Sequence, residues 1–220
     1  MKNRKRFIAL ELAVCAALIF STAAFSAKTT AEACDDIKEN VLRLHIIANS
    51  DSEDDQRVKL LVRDALLSAG SELFDGETDI EKVTEKADED IAFLEQTAQR
   101  VLEENGFSYE ARAEIGKSRF PTREYENVTL PAGEYTAVRV ILGEGKGHNW
   151  WCVMFPPLCL SAAEDKTQLS DVLGEDALSL VEDGRKYKVK FKLIEWYESI
   201  KETLEDKKLQ KEILQSHKTS

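Results

Sequence analysis

The hydrophobic residues of this chain change their spacing part-way along it, from the period of a helix to the period of a strand. Between residues 53 and 104 they recur at intervals of three and four, which is the repeat of one face of an α-helix. Between residues 107 and 155 they mostly alternate with polar residues, as in half-buried strands. This order predicts an α+β fold, in which a mostly antiparallel or mixed sheet packs with two or three amphipathic helices.

Two helices are predicted in the first half. The first follows the turn 49–52, whose polar side chains suit a helix N-cap, and it ends at or near Gly70. Its apolar stripe comprises Val58, Leu61, Val62, Ala65, Leu66 and Ala69. The second starts at a cap on Thr78 or Asp79 and runs unbroken to a stop at Gly106. Its apolar stripe comprises Ile80, Val83, Ala87, Ile91, Leu94, Ala98 and Val101.

Several shorter stretches have the composition of strands, and apolar runs this short are unconvincing as helices. The predicted strands span residues 41–48, 109–115, 119–129, 134–142, 149–155 and 187–191. A turn at residues 131–133 and a glycine-rich loop at 143–147 separate the later ones. A short helix over 171–181 and a charged helix from 194 to about 211 are predicted in the last part of the chain.

The N-terminus has the pattern of an export signal. Lys2, Arg4, Lys5 and Arg6 precede an apolar run that only Glu11 interrupts. The uncharged part of that run is roughly 14 residues, short of the about 20 that span a bilayer. We therefore expect a signal peptide or signal anchor over 1–27, with cleavage left open. The predicted order continues with a polar tether over 28–40, a single globular α+β domain over 41–200 and a charged C-terminal helix or tail over 201–220.

The net charge of the chain is −11, although its N-terminus is basic. The part that follows residue 27 is therefore more acidic still. A surface of that sign repels phosphate backbones and disfavours docking on anionic lipid. Nucleic acid is thus excluded as a partner, and a membrane tether through the N-terminal segment is the remaining link to a membrane.

Three motifs suggest chemistry, and each fails in its details. The glycine run resembles a phosphate loop, but Lys146 is followed by Gly147 and the loop opens into a strand. Acids alternate after residue 50 as in a calcium loop, yet Gln56 stands where that loop needs glycine. His148 and Cys152 would lie about 13 Å apart on an extended strand, too far for a nucleophile and its base. We therefore predict no catalytic residue, no metal site and no cofactor.

Two cysteines and two tryptophans of the 149–159 segment call for an explanation. In an oxidising compartment, Cys152 and Cys159 are expected to form a disulfide, and the alternative is a pair of buried thiols. Trp150 and Trp151 must face opposite sides of their strand. One of them can fill the core while the other reaches the surface as a binding residue, and the alternative is that both are buried. His45, inside an apolar strand, is expected to be a core or interface histidine.

Three blocks of sequence together resemble the stage II sporulation protein R family. The first runs from Leu42 to Ser52 and continues to Asp64. The second runs from Pro131 to Cys159 and includes Gly143-x-Gly145-x-Gly147-x-Asn149-Trp150-Trp151-Cys152 and Phe155-Pro156-Pro157-Leu158-Cys159. The third, weaker block is Val189 to Lys192 with Glu195 and Trp196. The blocks span residues 40–195, and Leu130 and Leu160 stand where the family pattern has aromatic residues.

The resemblance implies a signal and not an enzyme. Such proteins are made in the forespore and exported into the space between forespore and mother cell, either free or anchored in the membrane. There they trigger a membrane-embedded aspartic protease of the mother-cell membrane, which removes the pro-sequence of the mother-cell sigma-E factor. A cell-wall or glycan binder, and a thiol hydrolase built on Cys152, are the alternatives.

Residues that contact the extracytoplasmic side of that protease are expected in the turn after the first strand and along the 149–157 strand. The partner-binding candidates are Asn49, Asp51, Arg63, Asp64, Asn149, Trp150, Trp151, Pro156 and Pro157.

Overall fold

Between residues 28 and 182, the described part of the chain contains six helices and six strands. A computed structural model describes residues 28–125, 128–156 and 166–182, with isolated positions at 14, 18, 21–22, 192, 194–196, 199–200 and 203. The strands are β1 (Leu42–Ile47), β2 (Ala111–Phe120), β3 (Arg123–Tyr125), β4 (Val128–Leu130), β5 (Gly133–Leu142) and β6 (Asn149–Phe155). The helices are α1 (residues 28–39), α2 (Glu53–Leu73), α3 (Ile80–Glu89), α4 (Ile91–Glu104), α5 (Lys166–Val172) and α6 (Glu175–Glu182).

Four strands form a mixed sheet in the order β2-β5-β1-β6. The β1 strand lies parallel to β5 and antiparallel to β6, while β2 lies antiparallel to β5. The β3 and β4 strands form a separate two-stranded hairpin. The predicted α+β class with a mixed sheet is therefore confirmed, although the parallel pairing of β1 with β5 is not visible in the local pattern of either strand.

The sheet separates two hydrophobic cores, because successive side chains of a strand point to opposite faces. On one face Leu42, Leu44 and Ile46 of β1 pack with the helices α2, α3 and α4. On the other face lies a second core, to which α1, the β3–β4 hairpin, α5 and α6 contribute. The two central strands, β5 and β1, are thus covered on both faces, which explains why every residue of β1 except Ile47 is buried.

The predicted polar tether over 28–40 is largely helix α1. Its residues Ala33, Cys34 and Ile37 are spaced three and four apart, and all three are buried in the second core. The carboxylate of Asp36 also accepts a hydrogen bond from the backbone N–H of Gly174, at 3.0 Å, which joins α1 to the start of α6. The apolar stripe is only three residues long, so the surrounding polar residues hide it in the sequence.

Helix boundaries differ from those predicted at three places. The helix expected from residue 80 to Gly106 is interrupted at Asp90, so that α3 and α4 are separate; aspartate is a poor helix former. The Asp79 cap is confirmed, since its carboxylate accepts from the N–H of Glu81 at 2.9 Å. Helix α2 continues past Gly70, and the helix predicted over 171–181 is split near Gly174 into α5 and α6.

Gly70 is a packing position and not a helix end. A Cβ there would lie 3.0 Å from Cγ of Met154, so glycine lets β6 approach the helix closely. Leu61, expected on the buried stripe of α2, is 38% exposed and lies off the face that meets the sheet.

Strand boundaries differ mainly around β2. This strand begins at Ala111 and continues to Phe120, well beyond the predicted end at Ile115, and the weak strand predicted over 119–129 is the β3–β4 hairpin. The predicted signal segment 1–27, strand 187–191 and tail 201–220 fall almost wholly outside the described residues and stay predictions. Among the helices that the structure describes, none has the length and apolar character needed to cross a bilayer.

Candidate interaction surface

Two loops meet at the end of the sheet where β1 stops and β6 begins. We call them the paired loops: residues 49–52, between β1 and α2, and residues 143–148, between β5 and β6. The backbone N–H of Lys146 donates to the carbonyl of Asn49 at 3.1 Å, and that of Gly147 donates to Ala48 at 2.9 Å. The side-chain Oδ1 of Asn49 accepts from the N–H of Glu144 at 3.0 Å. Backbone and side chain together hold the two loops in one fixed arrangement.

The glycines of the second loop permit this contact. A Cβ on Gly147 would lie 2.2 Å from the carbonyl oxygen of Ser50, closer than atoms can approach. A Cβ on Gly143 would lie 2.3 Å from Oδ1 of Asn49, and its φ of +56° is in the left-handed region that favours glycine. The first and third glycines of the Gly-x-Gly-x-Gly pattern are therefore required by the neighbouring loop.

Asp55, in the first turn of α2, anchors the paired loops from beneath. It is buried, and its carboxylate accepts hydrogen bonds from Asn49 Nδ2 at 2.9 Å, from Tyr109 OH at 2.6 Å and from the hydroxyl of Ser50. Burial raises its pKa, but the hydrogen bonds from Ser50, Tyr109 and Asn49 outweigh burial and hold the pKa below its usual value. The sequence pattern marked this residue only as one of the acids in the first turn of a helix; the signal for its buried role is the run of short polar residues just before it.

The outer rim of the paired loops is polar and open to solvent. Asp51 Oδ1 accepts from the backbone N–H of His148 at 2.6 Å and also contacts the imidazole Nδ1 of that residue. The side chains of His148 and Asp51 are 78% and 55% exposed. Lys59 lies below them, buried, and donates to the carbonyl oxygen of His148 at 3.0 Å; burial lowers its pKa. This rim can offer an acid, an imidazole and amide groups to another macromolecule.

The two tryptophans of β6 lie on opposite faces of the sheet, and both are half-buried. Trp150 packs on the α2 side, with the guanidinium of Arg63 4.6 Å from the ring centroid. Trp151 stacks on His45 at 3.9 Å between centroids. The predicted orientation of the two rings to opposite faces is confirmed, but neither ring stands free at the surface and neither is fully buried.

Known proteins resemble this chain over the same residues. Residues 38–165 match the family described as Stage II sporulation protein R. A protein of Bacillus subtilis (strain 168), named Stage II sporulation protein R, is 35% identical over 182 residues, which is 73% of this chain and 81% of that relative.

The chain belongs to the stage II sporulation protein R family. The matched region contains both paired loops and all of β6. The family assignment predicted from the three sequence blocks is thereby confirmed. No solved structure matches the chain.

The candidate contact residues of this family member do not form one surface. Asn49, Asp51 and Asn149 lie together at the paired loops, and Nε2 of His45 is 3.0 Å from Oδ1 of Asn149. Arg63 and Asp64 lie on α2, where Nε of Arg63 donates to the Asp64 carboxylate at 2.7 Å.

The remaining candidates lie elsewhere. Trp151 faces the second core, and Pro156 is buried at the far end of β6, about 20 Å along the strand from its start. Pro157 falls outside the described residues. The group at the paired loops is both assembled and accessible, and it combines residues from two distant parts of the sequence.

Cysteine chemistry does not support a hydrolase. Cys152 is completely buried in β6 and is disulfide-bonded, so its sulfur is not a free nucleophile. Cys34 of α1 is buried and is not part of a disulfide. Cys159 lies outside the described residues, and its pairing with Cys152 stays a prediction. Within the ranges that the structure describes, no three His, Cys, Asp or Glu side chains are grouped to hold a metal ion.

Arg43 is a buried cation that sequence reasoning missed. Its Nε donates to the carbonyl of Cys152 at 2.9 Å and its Nη2 donates to Tyr125 OH at 2.7 Å. The guanidinium carbon lies 4.2 Å from the Phe120 centroid and 4.8 Å from that of Tyr135, so aromatic faces surround the charge. Arg43 thus joins β1 to the β3–β4 hairpin. The available signal was one basic residue inside an otherwise apolar strand.

Proposed function

We propose that this chain is the exported forespore signal that activates a membrane-embedded aspartic protease of the mother-cell membrane. The protease then removes the pro-sequence of the sigma-E factor, and the chain itself catalyses nothing. Membership in the stage II sporulation protein R family supports the sporulation part of this proposal. The basic and apolar N-terminal pattern supports export.

The observation that carries the proposal is the construction of the paired loops. Residues from two distant parts of the sequence are held rigidly by Asp55, Asn49 and the close-packed glycines. A binding surface gains affinity when its groups are pre-organised, because less conformational freedom is lost on association. The open rim of Asp51, His148 and Asn149 is therefore the surface that we assign to the extracytoplasmic side of the protease.

Co-expression in a non-sporulating host tests the function directly. The host would produce the protease and its pro-sigma substrate with no chain, with the full chain, or with a chain that lacks residues 1–27. We expect processing only with the full, exported chain. Processing without the chain, or equal processing by the form retained in the cytoplasm, would contradict the proposal.

One observation bears on the glycan-binding alternative. That alternative was based on an exposed tryptophan in β6, where both rings are half-buried, but Trp196 is 65% exposed. Pull-down on peptidoglycan with the wild type and a Trp196→Ala variant separates the two functions. Retention that is lost in the variant would favour the glycan binder, whereas no retention of the wild type would exclude it.

A further inference from the structure

We propose that the outer edge of β2 accepts an extended, basic segment of another protein as an additional strand. The site lies at the opposite edge of the sheet from β6 and uses no residue of the paired loops. It is therefore independent of the surface assigned to the protease.

The direction of the β2 backbone groups follows from their hydrogen bonds. The carbonyl of Glu110 accepts a hydrogen bond from the N–H of Gly143 at 2.8 Å. The backbone N–H and C=O groups of the even-numbered residues of β2 therefore point toward β5. The N–H groups of Ala111 and Ala113 instead donate to side chains of α4, at 2.8 and 2.9 Å. Because the register with β5 is unbroken along all of β2, the backbone groups of Ile115 and Lys117 also point away from β5.

Helix α4 covers only the first half of this edge. The side-chain oxygens of Gln99 and Glu95 accept hydrogen bonds from the N–H groups of Ala111 and Ala113, respectively. Among the described residues, nothing hydrogen-bonds to the outward backbone groups of Ile115 or Lys117. Unpaired groups on an edge strand are a template for strand addition.

Around Ile115 and Lys117, the residues that the structure describes also leave this edge open. A Cβ placed on Gly116 would meet no atom within 4 Å. The side chain of Lys117, which would otherwise guard the edge, donates to Thr136 Oγ1 at 3.1 Å and so lies back across the sheet. Beside it opens a groove of about 600 Å³ between β2 and α3, which extends to Thr136 of β5 and to Glu39 of α1. Isoleucines at positions 80 and 115 contribute its apolar part.

The charge of the groove identifies the occupant as basic. Four acids line it, namely Glu39, Glu81, Glu85 and Asp88, against the single base Lys117. An added strand would point every second side chain into this groove. Lysine or arginine at alternate positions of a segment of about five residues would match these acids. A second copy of this chain is a poorer occupant, because antiparallel pairing of two β2 strands would bring two acidic grooves together.

A peptide titration tests the site on the full chain. The probe is a fluorescein-labelled synthetic nonapeptide in which lysine alternates with valine or threonine, and the readout is anisotropy. Lys117→Pro removes an outward N–H that the β2–β5 ladder does not use, so the sheet should remain folded. We expect about tenfold weaker binding for this variant. A similar loss is expected for the double variant Glu81→Lys, Glu85→Lys, while Glu72→Lys, Glu104→Lys, with the same charge change elsewhere, should bind as the wild type does.

Two further measurements keep the test decisive if Lys117→Pro fails to fold. In the wild type, added peptide should slow hydrogen exchange at the amides of Ile115 and Lys117. The same peptide with N-methylated backbone amides should not bind, because it cannot pair as a strand. Equal binding by the methylated peptide or by an acidic counterpart would overturn the proposal. So would unchanged exchange at both amides, or self-association of the chain through β2.

Discussion

At the scale of single residues, Asp55 links the sequence motif after β1 to the shape of the paired loops. Its buried carboxylate is the common acceptor for Asn49, Ser50 and Tyr109, which come from two separate parts of the chain. A buried acceptor of this kind stabilises the structure mainly because the alternative, three donors left without a partner, is costly.

Replacement of Asp55 by alanine should therefore destabilise the protein by about 2–3 kcal/mol. The free energy of unfolding from urea denaturation measures this. The control is Asp54→Ala, because Asp54 is an exposed neighbour in the same helical turn and should change stability by less than about 0.5 kcal/mol. Equal stability of the two variants would show that the loops do not depend on Asp55.

The stability that Asp55 contributes should also depend on pH. Its pKa is lower in the folded state than in the unfolded chain, because hydrogen bonds favour the ionised form. The contribution is therefore complete above the unfolded pKa, about 4, and is lost as pH falls through the folded pKa. Between about pH 6 and pH 3 the wild type should lose more stability than Asp55→Asn, and parallel urea midpoints for the two would contradict this.

Gly147 tests the close approach of the two loops. An alanine Cβ would overlap the carbonyl of Ser50, so Gly147→Ala should cost about 1–3 kcal/mol through displacement of the loops. Gly116→Ala is the matched control, since a Cβ there meets nothing within 4 Å. Thermal unfolding of both variants gives the comparison, and an unaffected Gly147→Ala protein would mean that the loops can separate without cost.

At the scale of elements, α1 shows how a short apolar stripe is missed. The polar residues around Ile37 outnumber the buried ones, so composition alone predicts a tether. Packing against the second core decides the outcome instead. Most helix stability in proteins comes from such packing and not from intrinsic propensity.

Ile37→Ala should destabilise the protein by about 2–5 kcal/mol, as expected for a fully buried isoleucine. Glu32→Ala, on the exposed face of the same helix, should have almost no effect. Chemical denaturation distinguishes the two. A tether would give wild-type stability for both variants, which would contradict the packing of α1.

Element type could be predicted where the period was long and regular, as in α2, β5 and β6. The break at Asp90 could not, because the apolar stripe continues across it without a change of period. The role of Arg43 was equally hidden, since its aromatic partners are distant in sequence. Contacts of long sequence separation leave no local pattern to read.

At the scale of the whole molecule, one sheet with a core on each face presents three different regions. The paired loops form one end of the sheet, the half of β2 that α4 leaves uncovered forms one edge, and β6 with its two packed tryptophans forms the other. The α+β class and the sequence blocks of the candidate site were predictable, because helical and strand periods differ. Which candidates share a surface was not, because that depends on the pairing of β6 with β1.

Because some candidate residues pack in a core and others are exposed, only some of their variants can separate recognition from folding. Alanine at Trp150 or Trp151 would remove packing on either face of the sheet, so lost activity would not separate folding from recognition. Asp51 and Asn149 are exposed and belong to neither hydrophobic cluster, so their replacement removes no apolar packing. Asn149 does bond to the buried His45, which is why the stability of the variant is measured alongside its activity.

The most direct measurement is therefore the fraction of pro-sigma factor converted in the co-expression host by an Asp51→Ala, Asn149→Ala double variant. Secretion and thermal stability of the variant are checked against the wild type, and Glu89→Ala, Glu104→Ala serves as a control on exposed acids of other elements. We expect conversion to fall by about tenfold or more, as for loss of the central contacts of an interface, while the control converts normally. Normal conversion by the folded, secreted double variant would contradict the assignment of the paired loops as the activating surface.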